Sequence, residues 1–464
     1  MKQFLVVIFS VLLIFALTAC NNGIKGTDSS ISDLSQDENT SRISSTQKES
    51  DNANKSFESA SNKSNNTNSN INQPTNNIDG VSSTTTITSK DTISYEDISD
   101  LHDIVQSQNS TPEVSTDFKP ITDDGFSGGN GTQSNPYLIT TSEELVYLSE
   151  KINSGKMNNG VYFALGADID MTGVEFLPIG NGTNRFSSNF DGRGFTVSNL
   201  SPKLLYDDYG NNANYSCGFF GIVGNAEIKN LHLENVKISY TYESNYFTEI
   251  GLLAGCVYPT RECKITDCIV NGSIKVETDV LLAGGIVGDI FVTDNAKLKF
   301  ERLQTNTNIQ VRGDSIEAGA ISGSVLGRGE ESFSDIFVES EILHSSGYYS
   351  HIGAFGGVAN TKGSINVSNC FIKINTNAKH GDEIHPLIGG IIDSYQPSGK
   401  FDFMNVFGCA DSSTELYEIP SENPVKEENC SFTNVLPANC NFNTEIWDIT
   451  EPSAPSIKFN FQKN

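Results

Sequence analysis

Basic residues are scarce in this chain: 30 Lys and Arg stand against 57 Asp and Glu in 464 residues, a formal charge of −27. That balance excludes nucleic acid and anionic membrane surfaces as partners, because both would repel the protein. Histidine is also rare, at six residues. There is no HExxH zinc signature and no CxxC pair, and no Ser/His/Asp or Cys/His set gathers around a nucleophile elbow. The sequence therefore calls for no cofactor. The apolar stretch Phe4 to Leu17 counts fourteen residues, too few for a helix across a bilayer core, which takes about 20. From Asn21 to about Lys119 large apolar residues almost vanish in favour of Ser, Asn, Thr and Asp. Such a segment cannot bury enough surface to offset its ordering entropy.

What is present at the start is a secretory signal over residues 1–19: a positive charge at Lys2, the apolar stretch, then Leu17-Thr18-Ala19-Cys20. This tetrapeptide resembles the lipobox of bacterial lipoproteins. The resemblance implies that the Cys20 sulfur carries diacylglycerol and that Cys20, further acylated with palmitate-type chains, is the mature N-terminus. At about 0.8 kcal/mol per buried methylene, two chains hold a protein stably on a membrane where one does not. The expected location is then the extracellular face of the bacterial membrane; the alternative is a plain secretion signal. Residues 20–119 read as the lipidated cysteine and a disordered linker with a reach of roughly 50 to 60 Å. Within it, Ile98, Leu101 and Val105 fall on one helical face.

Beyond the linker the chain repeats itself. Apolar triplets of the form h-x-x-h-x-h occur at Ile228/Leu231/Leu233, Ile265/Cys268/Val270, Phe300/Leu303/Thr305, Phe333/Ile336/Val338, Val367/Cys370/Ile372 and Phe403/Val406/Gly408, their middle members 33 to 37 residues apart. A fixed period of this kind marks a stack of like units. Each unit holds two or three short strand-like segments, and glycines recur in pairs at Gly251/Gly255, Gly284/Gly288, Gly319/Gly323 and Gly353/Gly357. The economical fold is all-β: a right-handed parallel β-helix, or solenoid, of about 35-residue coils. We expect an N-terminal cap and first coils over 120–215, repeats over 216–410 and a C-terminal cap over 411–464. The first cap contains a helix with a Thr141/Glu144 capping box, an apolar face of Leu145, Leu148 and Ile152, and a stop at Gly155. The second places the single tryptophan, Trp447, over the downstream end. Eight cysteines follow Cys20. Cys268 and Cys370 belong to the apolar column, whereas Cys256 with Cys263 and Cys430 with Cys440 are the plausible disulfides of an exported protein.

The segments Gly251-Leu-Leu-Ala-Gly255, Gly284-Gly-Ile-Val-Gly288 and Gly319-Ala-Ile-Ser-Gly323 resemble the GLUG motif. It is found in bacterial surface proteins and in non-catalytic regions of bacterial immunoglobulin A proteases. The likeness extends upstream through Ala167-Asp-Ile-Asp-Met171, Leu177-Pro-Ile-Gly180 and Phe190-Asp-Gly-Arg-Gly-Phe195. It implies a β-helix without a catalytic centre, as in adhesins.

Candidate chemistry is sparse. The paired acids are Asp123/Asp124 and Asp168/Asp170; the second pair, at i, i+2, could share one strand face, but no base accompanies it in sequence as a polysaccharide lyase would need. His380 and His385 match no zinc motif; with Asp168 and Asp170 they are the secondary metal candidates. Insertions after the last strand of each repeat carry Tyr240, Tyr242, Tyr246, Arg312-Gly313-Asp314, Tyr348, Tyr349 and His351. Aromatics on a rigid edge suit sugar or protein contacts, and Arg-Gly-Asp matches an integrin-recognition tripeptide. The sequence thus favours a non-catalytic surface protein binding a host protein, glycan or cell-wall polymer. The alternatives are an extracellular polysaccharide lyase or hydrolase and a structural spacer.

Overall fold

The computed structural model describes residues 125–463 apart from 158, 209–212, 243–245, 354, 377–382, 386–387, 391–398, 411–424 and 462. The signal peptide, Cys20, the linker with its Ser94–Val105 segment, Asp123, Asp124 and His380 lie outside these residues. All described residues belong to one compact unit.

The architecture is a parallel β-solenoid, with a 19-stranded and a six-stranded sheet running along the stack. Successive coils pair in parallel and in register: Ile228 with Ile265, Ile265 with Phe300, Phe300 with Phe333, Phe333 with Val367 and Val367 with Phe403. The column continues upstream through Phe190 and Phe163 to Tyr137, so the N-terminal block forms coils of the same stack. Its side chains fill a continuous core in which Phe300 and Phe333 lie 5.1 Å apart and Phe333 and Phe355 4.4 Å apart, ring centroid to centroid.

The spacing h-x-x-h has a backbone cause. In a flat strand, residues three apart point to opposite faces. From the Ile228 coil onward the second x adopts the left-handed region: Asn230, Asp267, Arg302, Asp335, Asn369, Asn405 and Asn429 have φ between 52° and 56°. That bend resets the alternation, so both flanking apolar residues point inward. Asn and Asp tolerate this conformation best. Their side chains form a ladder up the stack, with Asn405 Nδ2 donating to Asn369 Oδ1 at 3.0 Å and Asn429 Nδ2 to Asn405 Oδ1 at 2.8 Å. Arg302 is the misfit, held by a two-pronged contact to Asp267 at 2.5 and 2.7 Å and by Glu301 at 2.7 Å.

The helix Ser142–Asn153 closes the upstream end with the expected capping box, and Leu145, Leu148 and Ile152 are fully buried. Its polar side is stitched to the next coil by Ser149 Oγ, which donates to Leu177 O at 2.7 Å, and by Asn153 Nδ2, which donates to Pro178 O at 2.9 Å.

The C-terminal segment first adds strands Val425–Glu428 and Ser431–Phe432 to the last coil, Lys400–Ala410, while Trp447 lies on a flank of the stack. On the outer face, the register column His232, Ile269, Gln304, Phe337, Phe371, Phe407 turns aromatic in its last three coils. Trp447 and Phe442 pack on those phenylalanines beside Leu436, Cys440 and Ile457. The Trp447 indole N–H donates to Asp335 Oδ1 at 3.0 Å. From the antiparallel pair Trp447–Asp448 and Ser456–Ile457 the chain runs back to the first coils. There Phe461 occupies space that a Cβ on Gly194 would fill, and Lys463 Nζ meets Asp168 at 2.8 and 3.0 Å. The tail is a lateral strap because the apolar surface it must cover lies on the flank of the stack.

The expected disulfides do not form: Cys256, Cys263, Cys430 and Cys440 are free thiols. Cys263 points into the core beside Leu298, whereas Cys256 lies on another sheet and outside the core cluster. Cys430 packs against the solenoid core and Cys440 against the strap cluster. Cys268 and Cys370 fill the apolar column, fully buried.

Candidate functional site

The insertions share one edge. Thr241, Glu277, Arg312 and Ser345 form one register column and Phe247, Val280, Ser315 and Tyr349 the next, so the segments between them stack. Their side chains divide into buried and presented groups. Tyr240 is largely buried and its hydroxyl donates to Pro202 O at 2.6 Å; Tyr242 lies against Thr248, hydroxyl to hydroxyl at 2.5 Å. Burial pushes both phenols well above their ordinary range. Tyr246, 45% exposed, instead joins Tyr206, 39% exposed, around Tyr215, with ring centroids 6.5 and 5.2 Å from it. Tyr242 closes this group from beneath at 5.2 Å. Sequence reasoning missed Tyr206 and Tyr215, which come from the hairpin Leu205–Asp208 and Ala213–Cys217 in the preceding coil.

Arg312-Gly313-Asp314 is not a loop tip. It lies within the strand Lys297–Gly319, where Arg312 pairs with Glu277 at 3.4 Å and the Asp314 N–H donates to Asp279 O at 3.0 Å. Tyr348 and Tyr349 belong to the strand Glu330–Gly353 and their side chains lie outside the described set, as does that of His385 in the strand Glu383–His385. His351 is buried at 6% exposure and sits away from the edge. Asp168 accepts from Thr196 N–H at 2.9 Å as well as from Lys463, which holds its carboxyl below the ordinary range. Asp170 accepts from Asn199 at 2.8 Å and closes a turn with Thr172 at 2.7 and 3.0 Å.

A second constellation escaped the sequence because it is written across coils. The paired glycines fold each coil sharply, bringing the strands Phe247–Gly251 and Ala254–Val257 together with their counterparts at a corner. The second glycine must be a glycine: a Cβ on Gly255, Gly323 or Gly357 would come within 2.5 to 2.8 Å of a backbone nitrogen two strands away. Ile250, Ala283, Ala318 and Ile352 face the core, so their neighbours Glu249, Leu282, Glu317 and His351 face the corner. Opposite them stands the column Ile222, Cys256, Asp289, Ser324. Side-chain donor atoms of Glu249, Cys256 and Asp289 all lie within 4.8 Å of one another. Glu249 also accepts from Ser216 Oγ at 3.1 Å and Asn214 Nδ2 at 3.2 Å. Burial raises the carboxyls of Asp289 and Glu317, with the Asp289 charge acting further on Glu317. Burial and then the charges of Glu249 and Asp289 raise the Cys256 thiol, against the opposing charge of Arg185.

No family model matches the chain. A 115-residue stretch is 32% identical to a candidate Gly-rich membrane protein of Evansella cellulosilytica, covering 23% of this chain and 12% of that protein. A 173-residue stretch is 29% identical to halomucin of Haloquadratum walsbyi, covering 35% of this chain and 2% of that protein. The chain thus matches only a small part of either relative. The crystal structure of a candidate immunoglobulin A1 protease from Bacteroides ovatus superposes with a TM-score of 0.51 at 19% identity, covering 72% of this chain and 95% of that one. The likeness is one of fold.

Proposed function

We propose that the chain is a lipid-anchored protein of the bacterial cell surface, non-catalytic, whose solenoid presents its insertion edge to an extracellular protein or glycan. The leader with Leu17-Thr18-Ala19-Cys20 and the GLUG-like glycine pairs support the location, as do a Gly-rich membrane protein and a halomucin among the relatives. Among the described residues no helix is long and apolar enough to cross a membrane; in this reading acyl chains at Cys20 are the tether.

The observation that carries the binding role is the tyrosine group Tyr206, Tyr215 and Tyr246. Three rings from two coils converge on one exposed patch, held from below by the buried Tyr242. Rigid tyrosines offer large contact area at small entropic cost. Asp168 and Asp170, by contrast, are engaged in the strap latch and an Asx turn, which disfavours calcium-assisted lyase chemistry there. The test applies the full-length chain to glycan and matrix-protein arrays. Saturable binding should fall at least tenfold in Tyr206→Ser/Tyr246→Ser and persist in Asp170→Ala. Binding indifferent to the tyrosines, or product release from uronate polymers, would overturn the reading.

A further inference from the structure

We propose that the corner formed by Glu249, Cys256 and Asp289 is a site for a borderline divalent cation of the zinc type. Three different donors, two carboxylates and one thiol, reach it from two successive coils, and all three residues are at least nine-tenths buried, at 5%, 7% and 6% exposure. In a water-exposed acidic cluster each carboxylate would be solvated and nothing would follow. Here solvent is excluded, and Oδ1 of Asp289 is buried without a hydrogen-bond partner. The hydroxyl of Ser324, fully buried on the next coil and paired in register with Asp289, approaches the carboxyls of Asp289 and Glu317 without completing a hydrogen bond of full geometry. Buried polar atoms of this kind are rare and call for a ligand.

The donor set selects the ion. A thiolate is a poor ligand for calcium or magnesium, which take oxygen, whereas zinc accepts sulfur at about 2.3 Å and carboxylate oxygen at about 2.0 to 2.2 Å. Tetrahedral geometry with those lengths puts ligand atoms about 3.5 Å apart. The donor atoms, all within 4.8 Å of one another, have about 1 Å to close to reach that spacing. Three protein ligands leave a fourth position for water or another donor. Arg185, whose guanidinium lies 3.9 Å over the Tyr258 ring and whose charge reaches Cys256, is the competing counter-ion. One guanidinium stands against three carboxyls, those of Glu249, Asp289 and Glu317.

Cobalt is the probe, because a thiolate–cobalt bond gives a charge-transfer absorption that carboxylate binding does not. Full-length chain, stripped with chelator, is titrated with cobalt and then with zinc in competition. The expected result is one cobalt per chain with the thiolate band, displaced by zinc. The band should be lost in Cys256→Ser, and affinity should drop at least tenfold in Asp289→Asn. Circular dichroism and thermal melting of the stripped variants show that each folds; Cys430→Ser, altering a thiol remote from the corner, should leave the band unchanged. Failure of the wild type to bind, as when Arg185 suffices as counter-ion, or a band that survives Cys256→Ser, would overturn the assignment.

Discussion

Replacing Trp447 with alanine should release the strap while leaving the solenoid folded. The indole is fully buried, 4.5 Å from Phe442 between ring centroids, and its N–H is bonded to Asp335. Truncating such a side chain costs about 3 to 5 kcal/mol in packing. Loss of the N–H leaves the Asp335 carboxyl, 6% exposed and already pushed up by burial, short of one donor, a further cost of about 1 to 3 kcal/mol. Trp447→Phe keeps an aromatic ring and loses mainly the second contribution. At about 1.4 kcal/mol per factor of ten, the open form of the strap should rise by roughly 10³- to 10⁶-fold in Trp447→Ala and by roughly 10- to 10²-fold in Trp447→Phe. Native-state hydrogen exchange read by mass spectrometry measures both, peptide by peptide. Strap peptides from about residue 430 onward should lose protection while the strands Glu262–Glu277 and Lys297–Gly319 keep theirs. Uncovered Phe337, Phe371 and Phe407 should also promote self-association, visible in sedimentation. Unchanged strap protection in Trp447→Ala, or loss of protection spread evenly over the coils, would refute the lateral-strap reasoning.

Two further outcomes follow from the same structure. Arg302→Val should destabilise the solenoid by about 2 to 3 kcal/mol, because a β-branched residue resists φ near 52° and the Asp267 contact is lost; Arg302→Asn should stay within about 1 kcal/mol of wild type, and equal urea midpoints for the two would contradict the ladder. The Lys463 latch should depend on acid: the folded pKa of Asp168 is depressed, so its contribution is complete above the ordinary carboxylate value and is lost as pH falls through the lower, folded value. Exchange protection of the last six residues should therefore fall below about pH 4 in wild type and lose that dependence in Lys463→Gln.

Fold and period were legible in the sequence because inward-facing residues recur at one place in each coil, and the helix cap was legible because its box and stop are local. The strap was less so. Its sign is that Phe337, Phe371 and Phe407 occupy the outward position where earlier coils have His232 and Gln304, a break in alternation that becomes meaningful only once coils are aligned. The left-handed column was written as Asn230, Asp267, Asn369 and Asn405 in one slot, and Arg302 hid it. The corner could not be found by spacing. Glu249, Cys256 and Asp289 meet through a glycine fold and a step between coils, neither of which any linear motif encodes. Tyr240 and Tyr242 show the converse: an aromatic beside an insertion is presented or buried according to which way its strand residue points.

The strap also sets a limit on how this protein can grow. Solenoids commonly lengthen by duplicating a unit, since a new layer needs nothing but its two neighbours. Here six residues link Ile457, lying against the strands Lys297–Gly319 and Glu330–Gly353, to Lys463 at Asp168 in the first coils, and fully stretched they reach about 20 Å. Each added layer between those points would lengthen the path by about 4.8 Å. Layers added beyond the reach of the link would pull the lysine off its aspartate, so the latch reports on the number of coils between its two ends.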